Sequence, residues 1–210
     1  MNPEIKDLLH EIDSVDLSVS NLQRMESNFD LWFGMIEKWN RSINLVSRSS
    51  PRLVDHLYDS LQYLRVLPKE ASFLDLGSGA GFPGVALKIV RPACEAVFLE
   101  GRKKRANFLK ILTKEMKMEG IQVVWGRAEE TLCDKDFQGF FDFVTTRGVG
   151  VYELCLKLGG GFLKEGGILV VKQSCGQVGS FPGFVLDNEI SIKGISGTKS
   201  KLLAFSKCST

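Results

Sequence analysis

The twelve residues FLDLGSGAGFPG, at positions 73–84, place four glycines directly behind an apolar run. A strand ending in such a turn brings bare backbone close to a ligand, because glycine reaches left-handed dihedrals and carries no Cβ. Pro83 then offers a favoured first helical position. Strand, glycine turn and helix point to an α/β sheet whose ligands lie beyond the carboxyl ends of its strands. Two registers compete within the turn. Gly79, Gly81 and Gly84 spell the GxGxxG of a dinucleotide-binding turn, whereas Gly77, Gly79 and Gly81 spell a GxGxG loop led by Asp75.

The surrounding chain supports the sheet. The short apolar runs SFLDL, EAVFLE, IQVVWG, FFDFVTT and GGILVVK alternate with helical patterns at 83–91, 102–119 and 151–164, and KLLAFSK supplies a last strand. Such alternation predicts a mostly parallel sheet covered on both faces. Upstream the rhythm is helical. Ser20 and Gln23 form a capping-box pattern, and Leu22, Met25, Phe29, Trp32, Ile36 and Trp39 recur at steps of three and four. A polar break at NRSIN leads to a second helical stretch around LVDHLYDSLQYL, ending at Pro68. Within it His56 and Asp59 share one helix face, where a local hydrogen bond that fixes the cap is favoured over an approach to the active site. The expected organisation is an N-terminal helical cap over 1–68 and an α/β unit over 69–210.

Composition narrows the function. No stretch of the 210 residues approaches the roughly 20 apolar residues of a membrane span. The N-terminus MNPEIKDLLHEIDSVD is acidic where a signal peptide is basic and then apolar. Five scattered cysteines without a CxxC, and only two histidines, His10 and His56, argue against a zinc site, a disulfide framework or a multi-histidine metal centre. A reduced, cytoplasmic protein without a metal is expected. The net charge of +2 is small but uneven: residues 101–117 carry seven Lys/Arg against Glu115 alone.

Four strand ends carry candidate chemistry. Beside the glycine turn, Glu100 ends the second strand about 20 residues on, where an acid accepts from ribose hydroxyls. In GRAEE, Ala128 leaves the backbone free for stacking and Glu129 can accept from an adenine amino group. Arg147 emerges from the fourth strand and needs an anionic or carbonyl partner. Asp75 separates the registers, because an acid inside the turn repels a pyrophosphate but accepts from an ammonium. S-adenosylmethionine combines an ammonium, a ribose and an adenine without phosphate, and it matches Asp75, the turn, Glu100 and Glu129 group by group. A nucleotide-binding dehydrogenase using the 79–84 register is the alternative from another class.

On these residues the chain resembles the class I (Rossmann-like) methyltransferases and, more narrowly, the ribosomal RNA small subunit methyltransferase G family. The resemblance is carried by WNRSINLVS (39–47), HLYDSL (56–61), LDLGSGAGFPGVALKIVRP (74–92), KRANFLK (104–110), GRAEE (126–130) and the arginine of TTRGV. It implies methylation of N7 of one guanine in 16S rRNA with S-adenosylmethionine as donor, so 16S rRNA or an assembling 30S subunit is the expected partner. By the same resemblance, cofactor contacts fall on Gly77, Phe82, Ala128, Glu129 and Arg147. Nothing in the sequence suggests an extended dimer seam, and a monomer is expected. Glu100 stands where the resemblance leads one to expect Asp, and the stretch 176–198 is short and lacks a helix. A methyltransferase of another RNA or of a small molecule is the runner-up.

The chemistry agrees with a ring-nitrogen target. The fourth strand ends in TTRGVG, without the (Asp/Asn)-Pro-Pro-aromatic turn typical of exocyclic amine methylation and without the cysteine that pyrimidine C5 methylation needs. Guanine N7 attacks with an in-plane lone pair and loses no proton, so alignment suffices and no general base is nominated. Arg147 is the one candidate for positioning the cofactor or the guanine edge. Phosphate contact is expected from Arg102, Lys103, Lys104 and Arg105, with Arg41 and Arg48 in the cap as further candidates.

Overall fold

In a computed structural model, the structure describes residues 1–13, 15–47, 52–147, 151–173, 178–193, 197 and 199–208. The expected strands form in place: β1 (Ser72–Leu76), β2 (Glu95–Glu100), β3 (Ile121–Trp125), β4 (Phe141–Thr146), β5 (Leu163–Gln173) and, at the end of the chain, β7 (Lys199–Lys207). A further strand, β6 (Phe184–Lys193), lies within the stretch expected only to lack a helix. All seven join one sheet in the order β3-β2-β1-β4-β5-β7-β6. β1 to β5 pair in parallel, whereas β7 runs antiparallel between β5 and β6. The chain leaves β1 for β2 on one side and reaches β4 on the other. The β1/β4 boundary is therefore the topological switch point where α/β sheets hold ligands.

Helices cover both faces. Alternate residues of each strand point to opposite sides. Phe73, Phe98 and Phe143 pack on one side with α2 (Val19–Trp39), α3 (Leu53–Leu61), α4 (Gly84–Val90) and α5 (Lys103–Glu115). Leu74, Leu76 and Leu99 pack on the other with the short α6 (Ala128–Thr131) and with α7 (Tyr152–Gly159). The first helix, α1 (Pro3–Glu11), inserts Ile5, Leu8 and Leu9 into the same core as Phe73 and Phe98. The N-terminal helices thus lie directly on one sheet face.

Three local expectations need correction. The long helix begins two residues before the SxxQ pattern, because Ser18 is its N-cap and its hydroxyl accepts from Asn21 N. Pro83 is the N-cap of α4 and not its first residue. The helix expected over 151–164 ends at Gly159, and Leu163 already belongs to β5.

Candidate active site at the switch point

Gly77, Gly79 and Gly81 adopt positive φ of 78°, 58° and 99°, so every glycine of GxGxG is left-handed. Gly84 serves packing, as the third glycine of GxGxxG also does, so Asp75 and not the glycines separates the two registers. A Cβ on Gly84 would lie 2.5 Å from Asp75 Oδ2 and 2.8 Å from Phe98 Cε1, which lets α4 start hard against β1. The turn is fastened by Gly77 N and Ser78 N donating to Leu99 O and by Gly81 N donating to Ser78 O.

Two buried acids hold this turn from below. Glu100, 5% exposed, accepts from Gly79 N at 2.9 Å through Oε2 and from Arg102 N at 2.7 Å through Oε1. It therefore couples the glycine turn to the start of α5. Asp75 is fully buried; its Oδ2 accepts from Gly84 N at 3.0 Å, and its Oδ1 has no hydrogen-bond partner among the described residues. Burial outweighs these hydrogen bonds and raises its pKa to about 7. Asp75 is thus a deep acceptor, seated beneath the turn.

Beside the turn lies a cavity of about 250 Å³. Gly77 and Ala128 line it, Leu76, Leu99, Leu154 and Leu158 give it apolar walls, and Glu129 stands at its edge with an exposed carboxylate. Ala128 and Glu129 are the first residues of α6, placed there by the short turn after β3. Trp125 flanks that turn. Its indole donates to Gly101 O at 3.2 Å, and Lys103 Nζ sits 4.9 Å from the ring centroid.

On the other side of the turn, Phe82 is buried against Trp32, whose indole donates to Ala80 O at 2.9 Å. The guanidinium of Arg147 lies over the Phe82 ring at 4.9 Å and meets His56 Nδ1 at 3.2 Å. Burial lowers the His56 pKa to about 4, with the Arg147 charge acting in the same direction. The ring is therefore neutral at physiological pH, and Nδ1 can accept from the guanidinium. Two more contacts bind α3 and the turn after it to the strand ends: Tyr63 Oη donates to Thr146 O at 3.2 Å, and Asp59 pairs with Lys172 of β5.

The structure thus brings Asp75, Gly77, Gly79, Gly81, Phe82, Glu100, Ala128, Glu129 and Arg147 to one end of the sheet. His56 and Asp59, for which the sequence favours a local pairing over an approach to the site, reach distant strand ends, and Tyr63 and Lys172 join them without any prior signal. Arg105, expected to meet phosphate, is half-buried; its Nε donates to Asn44 O at 3.0 Å and its Nη2 bonds the same carbonyl, tying the N-terminal helices to α5. Arg102, Lys103, Lys104 and Arg41 remain exposed, and Arg48 lies outside the described residues.

A seven-stranded sheet in this order, with a glycine turn after β1 and an acid ending β2, defines a class I methyltransferase. Among solved structures the chain resembles M. jannaschii TYW2 in complex with AdoMet (TM-score 0.57, 13% identity, 73% of this chain and 75% of that one). It also resembles TrmN from Thermus thermophilus (TM-score 0.53, 16% identity, 74% and 52%). At these identities the likeness is one of fold. In sequence, the model of the GidB family, described as rRNA small subunit methyltransferase G, matches residues 25–176. Ribosomal RNA small subunit methyltransferase G of Lactococcus lactis subsp. lactis is 33% identical over 175 residues, covering 81% of this chain and 72% of that protein. The Streptococcus pneumoniae protein of the same name is 35% identical over 165 residues, 76% and 69%. This chain belongs to the rRNA small subunit methyltransferase G family.

Proposed function

We propose that this chain transfers a methyl group from S-adenosylmethionine to N7 of a guanine in 16S rRNA. The observation that carries the cofactor is the orphaned oxygen of Asp75. A buried acceptor without a partner at the base of a glycine turn fits an ammonium donor and opposes a pyrophosphate. Around it, Gly77, Gly79 and Gly81 leave backbone bare, and Glu100 retains a second lone pair on each oxygen for a ribose. The cavity walled by leucines suits the faces of an aromatic ring such as adenine, with Ala128 and Glu129 in its lining and the Glu129 carboxylate available to an amino group. When bound, S-adenosylmethionine supplies an electrophilic methyl group on a sulfonium.

The chain's own part is placement. Guanine N7 loses no proton on attack, so the site requires no general base. Phe82 and His56 hold the Arg147 guanidinium in one orientation, from which it reaches the cofactor or donates to the guanine edge. Arg102, Lys103, Lys104 and Arg41 supply positive charge for the phosphates. The same reading takes residues 1–68 as a cap on a methyltransferase unit at 69–210. It takes the enzyme as a cytoplasmic monomer acting on 16S rRNA or an assembling 30S subunit. No helix among the described residues is long and apolar enough to cross a membrane.

Calorimetric titration tests the cofactor half. S-adenosylmethionine should bind with a measurable Kd that Asp75→Ala weakens, and NAD(H) should not bind. Tighter binding of NAD(H) would restore the dehydrogenase reading.

A further inference from the structure

The motif WNRSINLVS forms no part of the site at the switch point, yet it is built rigidly. The Asn40 side chain stitches the loop that follows α2. Its Oδ1 accepts from Leu45 N at 2.8 Å and Val46 N at 3.1 Å, and its Nδ2 donates to Val46 O at 3.0 Å. Ser42 N and Ile43 N both donate to Trp39 O, and Arg105 holds Asn44 O from the α5 side. A loop fixed at so many points forms a wall.

That wall and α5 enclose a groove of about 520 Å³. Its apolar parts are Trp39, Ile43 and Ile111. Trp39 is partly buried and braced edge-on by Phe108 at 5.7 Å, and Ile111 is 41% exposed. Lys104, Asn107 and Lys110 form the polar side, and the lining holds two ammonium groups and, among the described residues, no carboxylate. A second depression adjoins it, sharing Ser42 and Ile43 and lined also by Arg41. An apolar lining between cations suits one chemistry, an unstacked nucleobase with its flanking phosphates.

We propose that this groove binds an unpaired nucleotide of the RNA substrate, outside the methyl-transfer site. The base lies on Ile43 and Ile111 against Trp39, Asn107 faces its edge, and Lys104, Lys110 and Arg41 meet the phosphates. Arg105 links the groove to the glycine turn: its Nη1 lies 3.7 Å from the position a Cβ would take on Gly79, within van der Waals distance of the turn. Arg105 thus stands between the wall of the groove and the glycine turn. The assignment rests on the rRNA methyltransferase reading for the identity of the nucleic acid.

The test uses the full chain with a labelled single-stranded oligoadenylate and an abasic ribose-phosphate oligomer of equal length. Wild type should bind the oligoadenylate more tightly, and Ile43→Ser/Ile111→Ser should abolish that difference. Lys104→Ala/Lys110→Ala should weaken both ligands and lower the salt slope by about 1.4, because each phosphate neutralised on a single strand adds roughly 0.7. S-adenosylmethionine affinity should be unchanged in both variants, which demonstrates an intact fold. Equal affinity of wild type for the two oligomers would overturn the base subsite, as would an unchanged salt slope in the lysine variant. Binding to neither oligomer would also overturn it and point to a protein partner. A wild-type enzyme that binds the oligomers but leaves 16S rRNA unmethylated would instead sink the functional reading.

Discussion

Arg147 Nη1 lies 3.2 Å from His56 Nδ1, joining the end of β4 to a helix 91 residues earlier in the chain. The contact uses a histidine kept neutral by burial, so the ring accepts where a charged imidazolium would repel the guanidinium. Phe82 lies under both groups. Replacing His56 by Ala should therefore free Arg147 to reorient and slow methyl transfer roughly tenfold, about 1.4 kcal/mol. His56→Gln, which keeps an acceptor, should recover part of that loss. Single-turnover rates at saturating cofactor check this, and equal rates for wild type and His56→Ala would contradict it.

The same histidine sets a pH dependence of stability. Its folded pKa, about 4, lies below the ordinary value of 6.5. Between those values the unfolded chain takes up a proton that the folded chain refuses. Its stabilising effect is thus complete above pH 6.5 and is lost as pH falls toward 4. Between pH 7 and pH 5 the urea midpoint should fall further for wild type than for His56→Gln. Parallel losses in the two proteins would place the pH sensitivity elsewhere.

Asp75 has the opposite sign. Burial raises its folded pKa to about 7 from 3.8, so its effect on stability is fully favourable below 3.8 and is lost as pH rises through 7. Asp75→Asn removes the buried charge while retaining an acceptor for Gly84 N. It should raise stability at pH 8, on the order of 1–3 kcal/mol, and weaken S-adenosylmethionine binding at least tenfold through loss of the charged acceptor. Denaturation and cofactor titration on the same samples separate the two effects. A variant that is more stable and binds cofactor normally would remove Asp75 from the ligand site.

Glu100 connects two elements through two N–H donors, Gly79 and Arg102. Truncation to Ala leaves Gly79 N without an acceptor in a buried place, at about 1–3 kcal/mol, and frees the part-buried Arg102 N. Glu100→Ala should melt several degrees lower and bind cofactor more weakly, because the turn loses its anchor. Thermal melts with and without S-adenosylmethionine read both changes, and a melt unchanged in either condition would speak against the clamp.

The parts of this fold that are legible in the sequence depend on local pattern. β1 to β5 are runs of apolar residues with glycine or polar breaks between them, and their order fixes a doubly wound sheet. β6 escapes because Asp187, Asn188 and Glu189 interrupt its alternation, as suits an edge strand with a register shift between Leu186 and Asn188. Ser18 and Ser20 are equally good caps by type, and only the actual chain path selects Ser18. The glycine turn, Glu100 and Ala128-Glu129 are readable because each sits at a strand end and carries its own chemical signature. His56–Arg147 and Asp59–Lys172 are not, because spacing along a helix does not tell which distant strand end that helix will face. Arg105 looks like one of four equivalent cations until packing turns it toward Asn44.

Methyl transfer itself tests the central claim most directly. Labelled S-adenosylmethionine is incubated with the protein and unmethylated 16S rRNA, as naked RNA and as 30S subunits, and the RNA is digested to nucleosides for mass spectrometry. The expected result is 7-methylguanosine at a single site in one or both substrates, reduced when Arg147 is replaced by Ala. Label on another nucleoside, or no label from a protein that demonstrably binds the cofactor, would contradict guanine N7 as the target.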